Sequence, residues 1–262
     1  MIPTAFALRR AGTFEEASRL LAEGNGEAKV LAGGQTLIPL MKLRLIAPET
    51  LVDLSGISGA STIRDEGARV AIGALTPHAE LELSELLRSS CPLLAETAGA
   101  VGDIQVRNRG TLGGSLAHAD PNADLPAAIV ALDAEIATSR GRTIRAREFF
   151  LDVFATALDP DELITEVRVP KLEGAGSAYL KFNRRAQDWA IVGCAAVVSG
   201  DGQAVVWIGV GATPVLVEGD AQAAAAHLQP SGDLSGSAEY KRHLAGVLAE
   251  RALAKARERR GA

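Results

Sequence analysis

Asn108-Arg109-Gly110-Thr111-Leu112-Gly113-Gly114-Ser115-Leu116-Ala117-His118-Ala119-Asp120-Pro121-Asn122-Ala123-Asp124-Leu125-Pro126 is the stretch on which the reading of the fold turns. Its three glycines and two prolines suit neither a helix interior nor a central strand. The stretch reads as an ordered loop followed by a helix start. Gly113 and Gly114 let the backbone approach a ligand with no Cβ in the way. The amides around Thr111 to Ser115 would then point at an anion, a phosphate before any other. The hydroxyls of Thr111 and Ser115 add two donors. A tight turn between two core segments accounts for the same residues.

A second glycine pair lies upstream, in Lys29-Val30-Leu31-Ala32-Gly33-Gly34-Gln35-Thr36-Leu37. Both stretches run from an apolar segment through Gly-Gly to a small polar residue and a helix-like apolar run. Two such loops from separate parts of a chain can converge on one long diphosphate ligand. Neither spacing is the GxGxxG of a dinucleotide-binding unit or the GxxxxGK[ST] of a P-loop. Gly209-Val210-Gly211 comes nearest, but Pro214 stands where the third glycine is needed.

Taken together, Ala32-Gly33-Gly34-Gln35-Thr36-Leu37-Ile38-Pro39, Asp103-Ile104-Gln105-Val106-Arg107-Asn108 leading into the long glycine stretch, and Lys181-Phe182-Asn183-Arg184-Arg185-Ala186-Gln187-Asp188-Trp189-Ala190-Ile191-Val192-Gly193 resemble the FAD-binding subunit of molybdenum hydroxylases. The resemblance runs from about Pro3 to the C-terminal helix. It implies an α+β fold: a two-lobed FAD-binding domain of the vanillyl-alcohol-oxidase-like (PCMH) type over 1–173, with lobes of about 1–55 and 56–173. A smaller α+β domain, 174–262, would follow, with a three-stranded antiparallel sheet and helices.

Composition agrees with a soluble globular chain. Of 262 residues, 47% are hydrophobic and 23% charged, so there is ample apolar material for a core. Aromatics are only 4%, which leaves Ala, Val, Leu and Ile to build it. A net charge of −5 argues against nucleic acid as a partner. No apolar run reaches the ~20 residues of a membrane helix. Arg9 and Arg10 are not followed by the apolar run of a signal peptide, so a cytoplasmic location is the expectation. The two cysteines, Cys91 and Cys194, read as free buried thiols. They are too few to ligate an iron–sulfur cluster.

In chain order, Thr13 to Glu16 has capping-box spacing before a helix through Leu20 and Leu21. Strands follow at Ala28–Ala32 and Thr50–Leu54, with a helix over 37–45 between them. Val70–Ala74 is a strand, a helix opens at Thr76-Pro77-His78, and another spans Cys91–Val101. Leu125–Leu132 is a helix, and 134–138, 141–145 and 163–169 are strands. Phe149, Phe150 and Phe154 are expected to staple the intervening segment to the core. After a linker at 170–176, strands at 178–183, 190–198 and 204–210 form a sheet. The turn Ser199-Gly200-Asp201-Gly202 makes the last two a hairpin. Helices at 221–228 and 238–257 close the chain. Tyr240, Leu244, Val247, Leu248 and Leu253 give the last one an apolar face, and Lys255, Arg257, Arg259 and Arg260 read as solvated. The segment between Leu228 and Ser237 is short for the family.

The resemblance also implies a cofactor set. Ala32, Gly33, Gly34, Gln35 and Thr36 with Thr111, Gly113, Gly114 and Ser115 would hold the diphosphate and ribityl parts of FAD between the first two lobes. Leu37 and Val101 belong to the same set. Asp124 would hydrogen-bond the cofactor or serve as a helix N-terminal acid, and Ile164 would line its pocket or sit in a core strand. Lys29 would lie near the diphosphate or at an exposed strand edge. Lys181 is a similar case, and Trp189 stands where relatives carry Tyr beside the ring. His118, Asp120 and Asp124 have metal-like spacing but lack further ligands, and no metal and no catalytic dyad is expected of this chain. Arg107, Arg109, Arg184 and Arg185 are solvated residues or a basic surface near the ring.

The function implied is that of an electron outlet. A large molybdopterin-binding subunit oxidises substrate, and a small subunit carries [2Fe–2S] clusters. FAD here passes the electrons to an external acceptor, in a dimer of such heterotrimers. A stand-alone FAD-dependent oxidoreductase acting on a small molecule, and an assembly scaffold without flavin, are the rival readings. Neither the substrate nor the acceptor is legible in these residues.

Overall fold

A computed structural model describes residues 2–200 and 202–260. The first elements are β1 (Ala7–Arg10), α1 (Phe14–Glu23), β2 (Ala28–Leu31), α2 (Leu37–Lys42) and β3 (Thr50–Asp53). The strands form a parallel sheet in the order β1-β3-β2. β1 escapes sequence reading because all four of its residues are exposed, leaving no apolar alternation. Ala17, Leu20 and Leu21 of α1 pack on Ala28, Val52 and Leu54. Thr13 Oγ1 accepts the Glu16 amide at 3.1 Å, and the Glu16 carboxylate accepts from Gly12 rather than from Thr13. α2 stops at Lys42, short of the expected Leu45, because Arg44 takes a left-handed φ of 58°.

The second group comprises β4 (Ile63–Asp65), β5 (Arg69–Gly73), α3 (His78–Leu83), α4 (Glu85–Ser90), α5 (Pro92–Ala100), α6 (Ile104–Arg109), α7 (Leu112–His118), α8 (Asp124–Ala131), β6 (Glu135–Thr138), β7 (Thr143–Arg145), α9 (Ala146–Phe149), β8 (Phe150–Asp152), β9 (Ala155–Thr156) and β10 (Ile164–Pro170). Strands β4-β5-β10-β6-β7 form an antiparallel sheet. The helix expected from Thr76 is two, because Ser84 leaves helical geometry and caps α4 through Leu87 N. Leu93, Leu94, Leu112, Leu116, Leu125 and Ile129 pack on Ile72, Ile136 and Val167 of the sheet. Phe149 is fully buried, but Phe154 is 57% exposed, so it staples nothing to the core. Gly113 and Gly114 sit in the first turn of α7 rather than in a loop; Thr111 caps that turn.

The last group is β11 (Gly176–Phe182), β12 (Val192–Ser199), β13 (Gly202–Ile208), β14 (Val215–Glu218), α10 (Ala221–His227) and α11 (Ala238–Arg259). They form a four-stranded antiparallel sheet in chain order, one strand more than expected. β14 escapes sequence reading because Val215, Leu216 and Val217 are all half-buried ahead of an exposed Glu218, so no alternation shows. Asp201, in the hairpin turn, lies outside the described residues. α11 covers the sheet with Leu244, Ala245, Leu248, Ala249, Ala252 and Leu253, and Trp207 Nε1 donates to the Ala245 carbonyl at 3.0 Å. Tyr240 is left outside that face.

The basic end of α11 is solvated only in part: Arg257 and Arg260 are exposed, while Lys255 and Arg259 also reach a partner. Lys255 and Arg259 bond Glu96 of α5 at 2.5 and 2.8 Å, and Glu96 also accepts the Tyr179 amide at 3.1 Å. Burial pushes the Glu96 carboxyl up, but these donors bring it below its ordinary value. Among the described residues no helix is long and apolar enough to cross a membrane.

Candidate functional site

The two glycine loops touch. A Cβ on Gly33 would overlap the Arg109 carbonyl oxygen and come within 2.9 Å of Gly110 Cα. A Cβ on Gly114 would stand 3.9 Å from the Ala32 Cβ. The first loop therefore lies directly on the junction between α6 and α7, and glycine at 33 is what permits the approach. Gly34 adopts φ 73°, which turns the chain into α2.

The loops divide the work differently from the sequence expectation. In the second, the Leu112 amide donates to the Thr76 carbonyl at 3.0 Å, Gly113 to Ala74 at 2.8 Å, Gly114 to Thr111 Oγ1 at 3.2 Å and Ser115 to the Thr111 carbonyl at 3.0 Å. These four amides are spent on anchoring and capping α7, and the Thr111 hydroxyl acts as an acceptor. In the first loop, among the described residues, the amides of Gly33, Gly34, Gln35 and Thr36 meet no protein acceptor. Successive unpaired amides of this kind form an anion-binding concavity. The amides left without a protein acceptor are therefore those of the Gly33–Thr36 loop, not those at the start of α7.

Asp124 opens α8 just beyond the second motif and is 5% exposed. Its Oδ1 accepts the Tyr179 hydroxyl at 2.6 Å and its Oδ2 accepts Lys181 Nζ at 2.9 Å. Lys181 Nζ also donates to the Ala100 carbonyl at 3.0 Å. Burial raises the Asp124 carboxyl above the usual range, opposed by Lys181 and Tyr179. Tyr179, missed in the sequence, was findable: it and Lys181 lie two apart on a strand and so share a face.

A cleft of about 670 Å³ is lined by Asp120, Asn122, Arg184, Asp188, Trp189 and Leu234 among others. Gly102 packs against the Gln187 backbone, which joins the end of α5 to the 183–191 loop. Trp189 is 55% exposed. Arg184 and Arg185 are exposed, whereas Arg107 pairs with Glu82 at 2.9 Å and donates to the Val101 carbonyl at 2.8 Å.

The other expected residues are more scattered. Lys29 is exposed on β2, Leu37 starts α2 half-buried, Val101 is half-buried after α5, and Ile164 is a buried core residue on β10. His118 stacks on Phe154 at 4.9 Å, and Asp120 accepts the Asn122 amide at 2.8 Å, so neither turns to Asp124. Cys91 and Cys194 are buried and free; burial pushes the Cys91 thiol up to about 12.

Residues 4–172 match the family model for the FAD binding domain in molybdopterin dehydrogenase, and 206–256 match that for the CO dehydrogenase flavoprotein C-terminal domain. The chain belongs to this FAD-binding family. It is 39% identical to the 6-hydroxypseudooxynicotine dehydrogenase complex subunit alpha of Paenarthrobacter nicotinovorans, over 99% of this chain and 97% of that one. It is 39% identical to the carbon monoxide dehydrogenase medium chain of Hydrogenophaga pseudoflava, over 97% of each. Among solved structures, carbon monoxide dehydrogenase from Hydrogenophaga pseudoflava lacking the Mo-pyranopterin moiety superposes with a TM-score of 0.93 at 38% identity, with 100% of both chains covered. Quinoline 2-oxidoreductase from Pseudomonas putida 86 follows at 0.91 and 29%, covering 98% of this chain and 99% of that one.

The geometry fits the family's cofactor. FAD carries a diphosphate, and the unpaired amides of Gly33–Thr36 offer it donors. His78, also missed, lies beneath the second loop: it is 5% exposed, both ring nitrogens lack partners, and its amide holds the Gly110 carbonyl at 2.9 Å. Nothing in its sequence neighbourhood announces burial, because Thr76-Pro77-His78 reads as a helix start.

Proposed function

We propose that this chain is the FAD-carrying subunit of a molybdenum-dependent dehydrogenase complex and serves as its electron outlet. Ala32, Gly33, Gly34, Gln35, Thr36 and Leu37 cradle the diphosphate, with Lys29 nearby. Thr111, Gly113, Gly114 and Ser115 wall the opposite side. Asp124, Lys181, Val101, Ile164 and Trp189 complete the set, with Trp189 beside the ring. Bound flavin supplies the redox chemistry, taking electrons singly and releasing them in pairs. The protein's task is to bind, orient and shield it. The partners are a large molybdopterin-binding subunit and a small [2Fe–2S] subunit, in a dimer of heterotrimers located in the cytoplasm. The FAD-binding part is 1–173 and the remainder, 174–262, closes the ring end.

The observation that carries this reading is the run of unpaired amides from Gly33 to Thr36 in a loop that lies against the junction of α6 and α7. The relatives' names add support, since they include a complex subunit and medium chains. The test is purification of the tagged chain from its native host under gentle conditions, with analysis of iron, molybdenum and flavin. Iron- and molybdenum-bearing chains eluting with FAD are the expected result. A chain that elutes alone with FAD and is reduced by a small molecule would show a stand-alone oxidoreductase.

A further inference from the structure

Tyr179 of β11 is held by two helices from an earlier part of the chain. Its amide donates to Glu96 of α5 at 3.1 Å, and its hydroxyl donates to Asp124 Oδ1, at the start of α8, at 2.6 Å. The residue is 4% exposed. Its hydroxyl passes Gly193 of the neighbouring strand β12, where a Cβ would stand 2.5 Å from the hydroxyl oxygen. Glycine at 193 thus keeps room for one hydrogen bond. That bond is not needed to place the strand. β11 pairs with β12 from Gly176 to Phe182, and Tyr179 N and Lys181 Nζ already anchor it to α5. The hydroxyl acts on Asp124 alone. With Lys181 Nζ on Oδ2 at 2.9 Å, each carboxylate oxygen holds one donor, so the plane of the group is fixed. Burial, with the Asp124 charge adding to it, holds the phenol well above its ordinary value, so it stays the donor.

We infer that Tyr179 is a positioning residue for the flavin: its hydroxyl holds the Asp124 carboxylate fixed and ionised beside the cofactor, and so helps set the potential at which the flavin is reduced. This role rests on the function proposed above and adds a residue outside the cofactor set. A buried anion opposes the arrival of electrons nearby, and a low-dielectric interior screens that effect little. Burial raises the Asp124 carboxyl, while Lys181 and Tyr179 bring it back toward the ionised form. Without the hydroxyl the carboxyl rises further, and Asp124 takes up a proton at a higher pH. No neighbour replaces the lost donor. Lys181 is already bonded to Oδ2, and Asp188, which acts on Lys181, is an acceptor. Glu96 of α5 is also an acceptor, and the buried Cys194 thiol of β12 is a weak donor. His118 of α7 stacks on Phe154, and on α9 Arg147 pairs with Asp133 while Glu148 is exposed.

The experiment is a redox titration of the bound flavin, across pH, in the complex purified from the native host. It compares wild type, Tyr179→Phe and, as control, Tyr240→Phe, a tyrosine 40% exposed on α11. Tyr179→Phe should raise the flavin midpoint potential at acid pH and converge on wild type at alkaline pH, where Asp124 is ionised in both. The control should follow wild type throughout. In an Asp124→Asn background, Tyr179→Phe should shift nothing, because the group it acts through is gone. Tyr179→Phe that is less stable to heat yet titrates as wild type would make the hydroxyl a packing bond and overturn the role. A shift of the same size in the Asp124→Asn background would overturn it too. If Tyr179→Phe sheds its flavin, the dissociation constant for added FAD is the readout. Weakening by about tenfold at acid pH alone supports the role, and weakening independent of pH overturns it. A wild-type chain that carries no flavin would instead overturn the proposed function itself, and this role with it.

Discussion

Asp124 and Lys181 form a buried ion pair at 2.9 Å, joining the first residue of α8 to strand β11. Both side chains are more than nine-tenths buried, at 5% and 7% exposure. The pair ties the helix that follows the second glycine motif to the strand that leads into the Trp189 loop. Replacing Lys181 by Met leaves Asp124 buried without its cation, and about 3–5 kcal/mol of stability should be lost. Adding Asp124→Asn to that variant should restore much of the loss, because no buried charge remains. Thermal unfolding of the three forms checks this; a double variant less stable than Lys181→Met would contradict it.

Gly33→Ala tests the contact between the loops. The new Cβ has to push against the Arg109 carbonyl, a backbone group that cannot rotate away. A cost of about 1–3 kcal/mol is expected for such overpacking. The flavin-to-protein ratio should fall sharply, because the displaced amides are those proposed to meet the diphosphate. Full flavin occupancy in Gly33→Ala would show that the cradle lies elsewhere.

His78 gives stability an acid limb. Burial, opposed by the Thr111 backbone and helped by the charge of Arg107, lowers its pKa to about 4 from an ordinary 6.5. The unfolded chain takes up this proton near 6.5 and the folded chain only near 4. Between those values the unfolded state binds more protons, so stability falls as pH drops through that window. The loss reaches up to about 3 kcal/mol by 1.36 kcal/mol per unit. His78→Leu removes both the orphaned nitrogens and the titration. Urea unfolding between pH 4 and pH 7 should show a flatter profile in the variant.

The chain's two tryptophans report separately. Trp207 is fully buried and bonded to Ala245, whereas Trp189 is exposed at the cleft. Acrylamide should quench Trp189 alone, and FAD should quench it on binding. Trp189→Phe should abolish both effects while leaving the Trp207 emission. Equal FAD quenching in wild type and variant would place the ring away from Trp189.

Much of this was legible in the residues, and the failures have specific causes. Thr13 to Glu16 announced α1 because capping chemistry is local. Alternation and apolar runs announced β10, β12 and β13. β1 was hidden because an exposed edge strand has no buried face to pattern, and β14 because its three apolar residues are partly buried on both faces. The glycine motifs were visible, but which amides remain free depends on Ala74 and Thr76, more than thirty residues upstream of the second motif. The pairing of Lys255 and Arg259 at the basic end of α11 was not legible because Glu96 stands 159 residues from Lys255. Local rules find caps and cradles; pairings across the fold require the fold.

The most direct test of the account is the visible absorption spectrum of this chain isolated from its native host, followed by acid release and identification of the bound cofactor. Flavin bands, with FAD released and its content lost in Gly33→Ala, are the expected result. A colourless chain that stays colourless after incubation with FAD would contradict the central claim.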